Sequence, residues 1–415
     1  MKSIVPYQLK DARRRGSLMP AIAFALLVVG AASALVMNKL WIEAAEVELQ
    51  TAAEASALAA AGAYLSDDML RPGFDADETV YKAKVRAAEV AYMNRVGTHR
   101  VELVVDGDDT DIVFGRRVPG GAGGETTFLL TNDNPTVVEV RTRRSREQGN
   151  PVTLFYPGVT GRATADAMTI VEAAFNNEID HFAAAPARPI PALPLAILAN
   201  DPTGKRLDTW SSMIEEKLGP DNYSYDEINH VVVEQPDGIP EVVLQSSPLK
   251  QDPLLSNVQL LDFNNDLHED NINRQIRQGL TQDDLRLLNN RLPAQSPFEM
   301  TALGNVTTPV QLALESQIGQ QRLCLLYNSA APMTVPGWTT LQCEGVVAVR
   351  ILKVLPADGE SATVILQPTV MTTKTAVPAE FAHSPTTGLG TMATEASEPV
   401  LYQPNPYVYK LYISR

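Results

Sequence analysis

Cys324 and Cys343 are the only cysteines in 415 residues. Two thiols, with no CxxC pair, exclude both a dense disulfide scaffold and a zinc or dithiol motif. Cys324 lies in LCLLY and Cys343 in LQCEGVVAV, two predicted strands. If those strands are neighbours, a disulfide would close a loop of about 20 residues and add ~3 kcal/mol; otherwise the pair are two buried thiols. The run Asp106-Gly107-Asp108-Asp109-Thr110-Asp111 offers carboxylates to calcium, yet Asp- and Gly-rich runs are also the usual chemistry of a hairpin turn. Asp262, Asn264 and Asp266 mimic the start of a calcium loop. Leu267 stands where that loop requires glycine and Asn273 where it requires glutamate, so the spacing fails. His99, His181, His230, His268 and His383 are isolated from one another, with no HExxH pairing. There is no GxSxG, GxxxxGK[ST] or GxGxxG signature. The expectation is a protein with no catalytic residue, no metal and no cofactor.

The elements that carry these residues begin with an apolar one. From Gly16 to Asn38 no residue is charged. A helix of that length, about 23 residues at 1.5 Å each, reaches ~35 Å and can cross a hydrocarbon core. Leu18, Phe24, Leu27 and Val36 would face lipid, and Trp41 would sit at the far interface. Arg13, Arg14 and Arg15 abut the near end, and the positive-inside bias then puts the N-terminus in the cytoplasm. A cleaved signal peptide is the competing reading, with an A-x-A site at Ala32-Ser33-Ala34. Export follows from both.

The stretch 40–65 is rich in Ala, Leu and Glu, so the membrane helix is expected to continue as a stalk in one rod of ~70 Å. Ala52, Ser56, Ala59 and Ala63 form a stripe of small side chains that permits close helix–helix approach; a plain alanine-rich stalk is the alternative. Residues 1–15 carry a charge of +4, which leaves −19 on the rest of a chain whose net charge is −15. Such an acidic body repels nucleic acid, while the basic end suits an anionic membrane face.

Here the residues resemble a known family. Arg14-Arg15-Gly16, an apolar helix, then Glu48-Leu49-Gln50 and Ala52-Ala53-Glu54-Ala55-Ser56-Ala57-Leu58-Ala59-Ala60-Ala61 are similar to the TadE/TadG group of bacterial Flp (tight-adherence) pilus assembly proteins. Glu54 stands where that group usually has Asp. Counting from Gly16, Ala21 stands where pseudopilin relatives carry the glutamate of their processing site, so prepilin-type cleavage does not carry over. Asp111-Ile112-Val113-Phe114-Gly115 and Asn150-Pro151-Val152-Thr153-Leu154 fall in the order seen in TadG-like proteins. Blocks at 275–279, 318–322 and 365–368 resemble the C-terminal part of long members. The DxSxS metal signature found in some TadG proteins is absent.

The rest of the chain reads as α+β. The segment 66–96 is mostly helical, with Gly97 as its stop. Apolar runs between turn residues predict a β-sandwich or open barrel over about 98–182. The proline-punctuated stretch AAAPARPIPALPLAIL reads as a linker or an edge strand. The division is a basic cytoplasmic tail at 1–17, a transmembrane and stalk helix at 18–65, a sandwich-like β domain at 66–182, a linker at 183–198 and an α+β domain at 199–415. A last strand in the tyrosine-bearing C-terminal tail closes the sheet. The resemblance implies a non-enzymatic component anchored in the inner (cytoplasmic) membrane, with other pilus-assembly proteins as partners. A stalked adhesin or carbohydrate-binding protein would instead expose an aromatic strip, and an exported hydrolase would show a cleft with paired carboxylates.

Overall fold

A computed structural model describes residues 18–119, 126–201, 203–246, 253–304, 306–355, 362–382 and 402–414. The chain is α+β, with one long apolar N-terminal helix and a β-rich body of several sheets. The topology expectation for Arg13, Arg14 and Arg15 lies outside the described residues, as does His383.

Helix α1 runs unbroken from Met19 to Tyr64, 46 residues, or ~69 Å at helical rise. Pro20 falls in its first turn, where a missing N–H costs little, and strong helix formers fill the rest. The chain reverses through a 3-10 turn at Asp67–Leu70. Asp75 then caps α2, Ala76–Met93, by accepting hydrogen bonds from the N–H groups of Asp77 and Glu78. α2 returns along the distal half of α1 and buries Val80, Ala83, Ala87 and Ala91 at helical spacing.

That distal half of α1 is core, not stalk. It lies across a six-stranded sheet ordered Met371–Thr372, Val408–Ile413, Ala167–Asn176, Val137–Arg144, Ile112–Pro119 and Thr126–Leu130. Val137–Arg144 shows the period-2 burial of a strand with one covered face. Under the helix Ile112, Phe114, Val138, Val140, Val171 and Ala173 pack against Ala53, Ala57, Ala60 and Ala61. The Tyr64 ring stacks on Phe114 and Phe175, with centroids 5.6 Å from each. The expected sandwich is therefore corrected: helices α1 and α2, rather than a second sheet, cover this face. Gly115 is needed as glycine, since a Cβ there would come within 2.5 Å of the Phe128 ring and the Leu129 carbonyl.

The larger sheet is ordered Val242–Gln245, Thr363–Pro368, Trp338–Leu355, Phe298–Leu303, Val258–Leu261, Ala192–Leu198 and Gln321–Pro332. Gln321–Pro332 also pairs with the 18-residue strand Trp338–Leu355, so five strands close on themselves. Apolar clusters fill both faces. The expected linker at 183–198 is corrected as well. Every residue of Ala192–Leu198 is buried, because this strand sits between Val258–Leu261 and, in parallel, Gln321–Pro332. The C-terminal strand Val408–Ile413 returns to the first sheet beside Ala167–Asn176, so the chain crosses between the two sheets more than once. Between 206 and 219 the chain forms one helical turn, Ser211–Glu215.

Candidate functional site: the bare half of the first helix

Between Leu18 and Met37, α1 has no polar face. Leu18 is 76% exposed, Phe24 and Leu27 each 68%, and Val36 57%. A helix apolar all round is one that something other than water surrounds. Among the described residues it is the one helix long and apolar enough to cross a membrane. Leu18, Phe24, Leu27 and Val36 thus lie on its exposed apolar part, whereas Trp41 is half-buried.

The folded body begins at a defined level on this rod. Asn38 is buried, and its side chain forms a two-way pair with one residue 118 positions away. Its Nδ2 donates to the Tyr156 carbonyl and its Oδ1 accepts from the Tyr156 N–H, both at 3.0 Å. One helix turn on, Trp41 Nε1 donates to the Thr153 carbonyl at 3.0 Å and its ring packs against Phe155. Glu48 accepts from the Gly97 N–H at 2.7 Å, in the turn after α2. The short helix α3, Pro157–Thr160, packs against α1 here. Sequence reasoning missed this collar. Its signals were an asparagine ending an apolar run and an uncharged stretch from Gln148 to Gly161.

The small-residue stripe is occupied within the chain. Ala52 and Ser56 are fully buried and Ala59 and Ala63 half-buried; the Ser56 hydroxyl donates to the Ala52 carbonyl. The face most covered is 52/53, 56/57 and 60/61, turned toward the protein's own sheet and α2. The close helix–helix approach that the stripe permits is made within the chain, with α2, alongside packing on the sheet.

The expected disulfide is not formed: Cys324 and Cys343 are free, buried thiols. Their strands are neighbours, but Cys324 lies opposite Val347 and Cys343 opposite Tyr327. Directly opposed residues share a face while successive ones alternate. Cys343 therefore joins Tyr327, Leu325 and Leu323 on one face, and Cys324 joins Leu193, Val347 and Val349 on the other. No rotamer bridges a sheet. Burial pushes the Cys343 thiol up to about 12, and raises Cys324 too.

The acidic loop is tied to arginines. Asp109 accepts from Arg143 Nη2 at 2.6 Å, which holds its carboxyl low. Asp111 meets Arg143 Nε at 3.1 Å and the Val104 N–H at 2.9 Å; burial outweighs both contacts and raises it. Asp262 Oδ1 accepts from the Asp266 N–H, a turn contact. His181 is paired with Asp180 at 2.6 Å, His268 begins the helix α4, Glu269–Gln278, and His99 and His230 are exposed. Among the described residues no three His, Cys, Asp or Glu side chains gather as a metal site.

A cavity of about 770 Å³ opens along the six-stranded sheet, lined by Arg117, Glu172, Asn176, Glu178, Glu380 and Tyr412 among others. Arg117 pairs with buried Glu172. The Tyr412 hydroxyl donates to Glu380 at 2.7 Å, and burial with that contact raises it. Its polar groups answer one another.

A clamp that sequence reasoning also missed joins the helical turn to the larger sheet. Asp67 accepts from Arg350 Nη2 at 2.9 Å, and from the Thr369 hydroxyl and the Val370 N–H at 2.7 Å each. Arg350 stacks on the Tyr225 ring. Comparison of the chain with family models, with curated proteins and with solved structures finds no match.

Proposed function

We propose that the chain is a non-enzymatic, single-pass membrane component of a tight-adherence-type pilus assembly or secretion apparatus. Residues 18–38 lie in the inner membrane, the N-terminus is cytoplasmic, and the acidic body is held on the outer side. The observation that carries this reading is the continuity of α1: one helix is bare at its start and core at its end. A body fused to its anchor in this way cannot swing as on a flexible tether, since bending the rod breaks helical hydrogen bonds. Rigid presentation of a surface at fixed height suits a scaffold in an assembly. The residues at 14–16 and 48–61 support the pilus assignment by resemblance, with other pilus-assembly proteins as partners.

Deletion of the gene in a piliated host tests it. Surface pili should disappear and return with the full chain, and a C-terminal alkaline phosphatase fusion should be active outside the cytoplasm. Unchanged piliation overturns the pilus role, and an inactive fusion overturns the topology.

A further inference from the structure

We propose that the loop Thr153–Arg162 is a second membrane contact, whose apex Phe155-Tyr156-Pro157-Gly158-Val159 enters the boundary between headgroups and acyl chains beside α1. The inference rests on the anchor reading and adds that the body lies against the bilayer rather than standing off it.

Level is the first argument. From Leu18 to Met37 there are 20 residues, which span ~30 Å, the thickness of a hydrocarbon core. The body's first hydrogen bonds, Asn38 to Tyr156, begin one residue later. Ala34, inside the apolar run, is the one buried residue among 18–37, on the side of α1 that carries Asn38 and Trp41 and packs α3. Ala34 is four residues before Asn38, about 6 Å along the axis. The loop therefore descends beside the helix to a depth typical of interfacial segments.

Composition is the second. Residues 148–161 carry no charge, and Arg162 follows at once. Phe155, Tyr156 and Val159 are exposed although large and apolar. In water such a cluster is unfavourable, while aromatic rings with a polar handle favour the lipid interface. Arg162, at the end of the loop, and Lys39, next to Asn38 on α1, are exposed, Lys39 lying 3.5 Å from Glu43; long cations of this kind reach headgroup phosphates. Continuity with the anchor and this charge pattern select a lipid surface over a protein partner.

Spin labelling of the full chain in vesicles of phosphatidylethanolamine and phosphatidylglycerol tests the proposal. Both native thiols are buried, so single added cysteines label selectively. Val159→Cys reports the loop, Phe24→Cys the anchor, and Ile228→Cys, at a site 89% exposed on the body, the water phase. A nitroxide at 159 should collide with oxygen in preference to a water-soluble nickel chelate, as at 24 and unlike 228. A water-like 159 with a lipid-like 24 overturns the loop contact and leaves the anchor standing. A water-like 24 overturns the anchor reading, and the loop proposal with it.

Discussion

Leu27 lies at the middle of the bare segment 18–37, and its side chain touches nothing in the body. Leu27→Arg therefore tests the anchor without disturbing the fold. The segment holds four leucines, three valines, one isoleucine and one phenylalanine. At −0.3 to −0.6 kcal/mol each these supply about −3 to −5 kcal/mol toward insertion. A central arginine costs about 2.5–3.5 kcal/mol, and the lost leucine brings the change to about 3–4 kcal/mol. That is two to three orders of magnitude in partitioning, enough to bring insertion near balance. Leu35→Arg, two residues from the outer end of the segment, should cost far less because its side chain snorkels to water. The assay is the fraction of protein retained in membranes after alkaline carbonate extraction. Thermal melting of both detergent-solubilised variants should match the parent. If Leu27→Arg stays in the membrane fraction as fully as the parent, hydrocarbon is not what holds α1 and the reasoning fails.

Asp67→Ala leaves the Arg350 guanidinium buried without its carboxylate partner, and breaking such a pair costs about 3–5 kcal/mol. The urea midpoint should fall accordingly and recover in the Asp67→Ala, Arg350→Met double variant; an unchanged midpoint refutes the clamp. Cys324 and Cys343 should resist maleimide in the native protein up to about pH 10 and both label in urea, with identical gel mobility in the presence and absence of reductant. A mobility difference traced to an intramolecular bridge refutes the placement of the two thiols on opposite faces. Glu241 is fully buried, and although it accepts hydrogen bonds from the N–H groups of Asn222 and Tyr223, desolvation raises its carboxyl above the ordinary 4.5. A raised carboxyl binds its proton more tightly when folded, so its contribution is whole below pH 4.5 and is lost as pH rises through the folded value. The stability of the parent relative to Glu241→Gln should thus decline from pH 4 toward neutrality; a flat or rising difference refutes the assignment.

What the sequence made legible and what it hid divide along a physical line. The long apolar start of α1 was readable because length and apolar composition are what a sequence displays directly. Val137–Arg144 was readable because a strand with one covered face alternates. Residues 192–198 were misread because Pro194 argues against an interior strand. The structure accommodates it where pairing with Gln321–Pro332 breaks register between Ala192 and Ala196, and where pairing with Val258–Leu261 starts only at Leu195. The missing N–H thus falls in a gap of the ladder. The small-residue stripe was hidden for a different reason. Alanines at helical spacing permit close approach to any surface, and nothing in their order says whether that surface belongs to another helix or to the chain's own sheet. The cysteines depended on register, since a slip of one residue exchanges faces. The sheet supplies such slips between Leu326 and Tyr327 and between Tyr327 and Ser329. The collar depended on closure over 118 residues, from Asn38 to Tyr156, which no window along the chain spans. The level at which the body meets the bare part of α1 is therefore set by a long-range contact. Changing Asn38 should alter how the body sits on α1 while leaving every local signal of the apolar segment as it was.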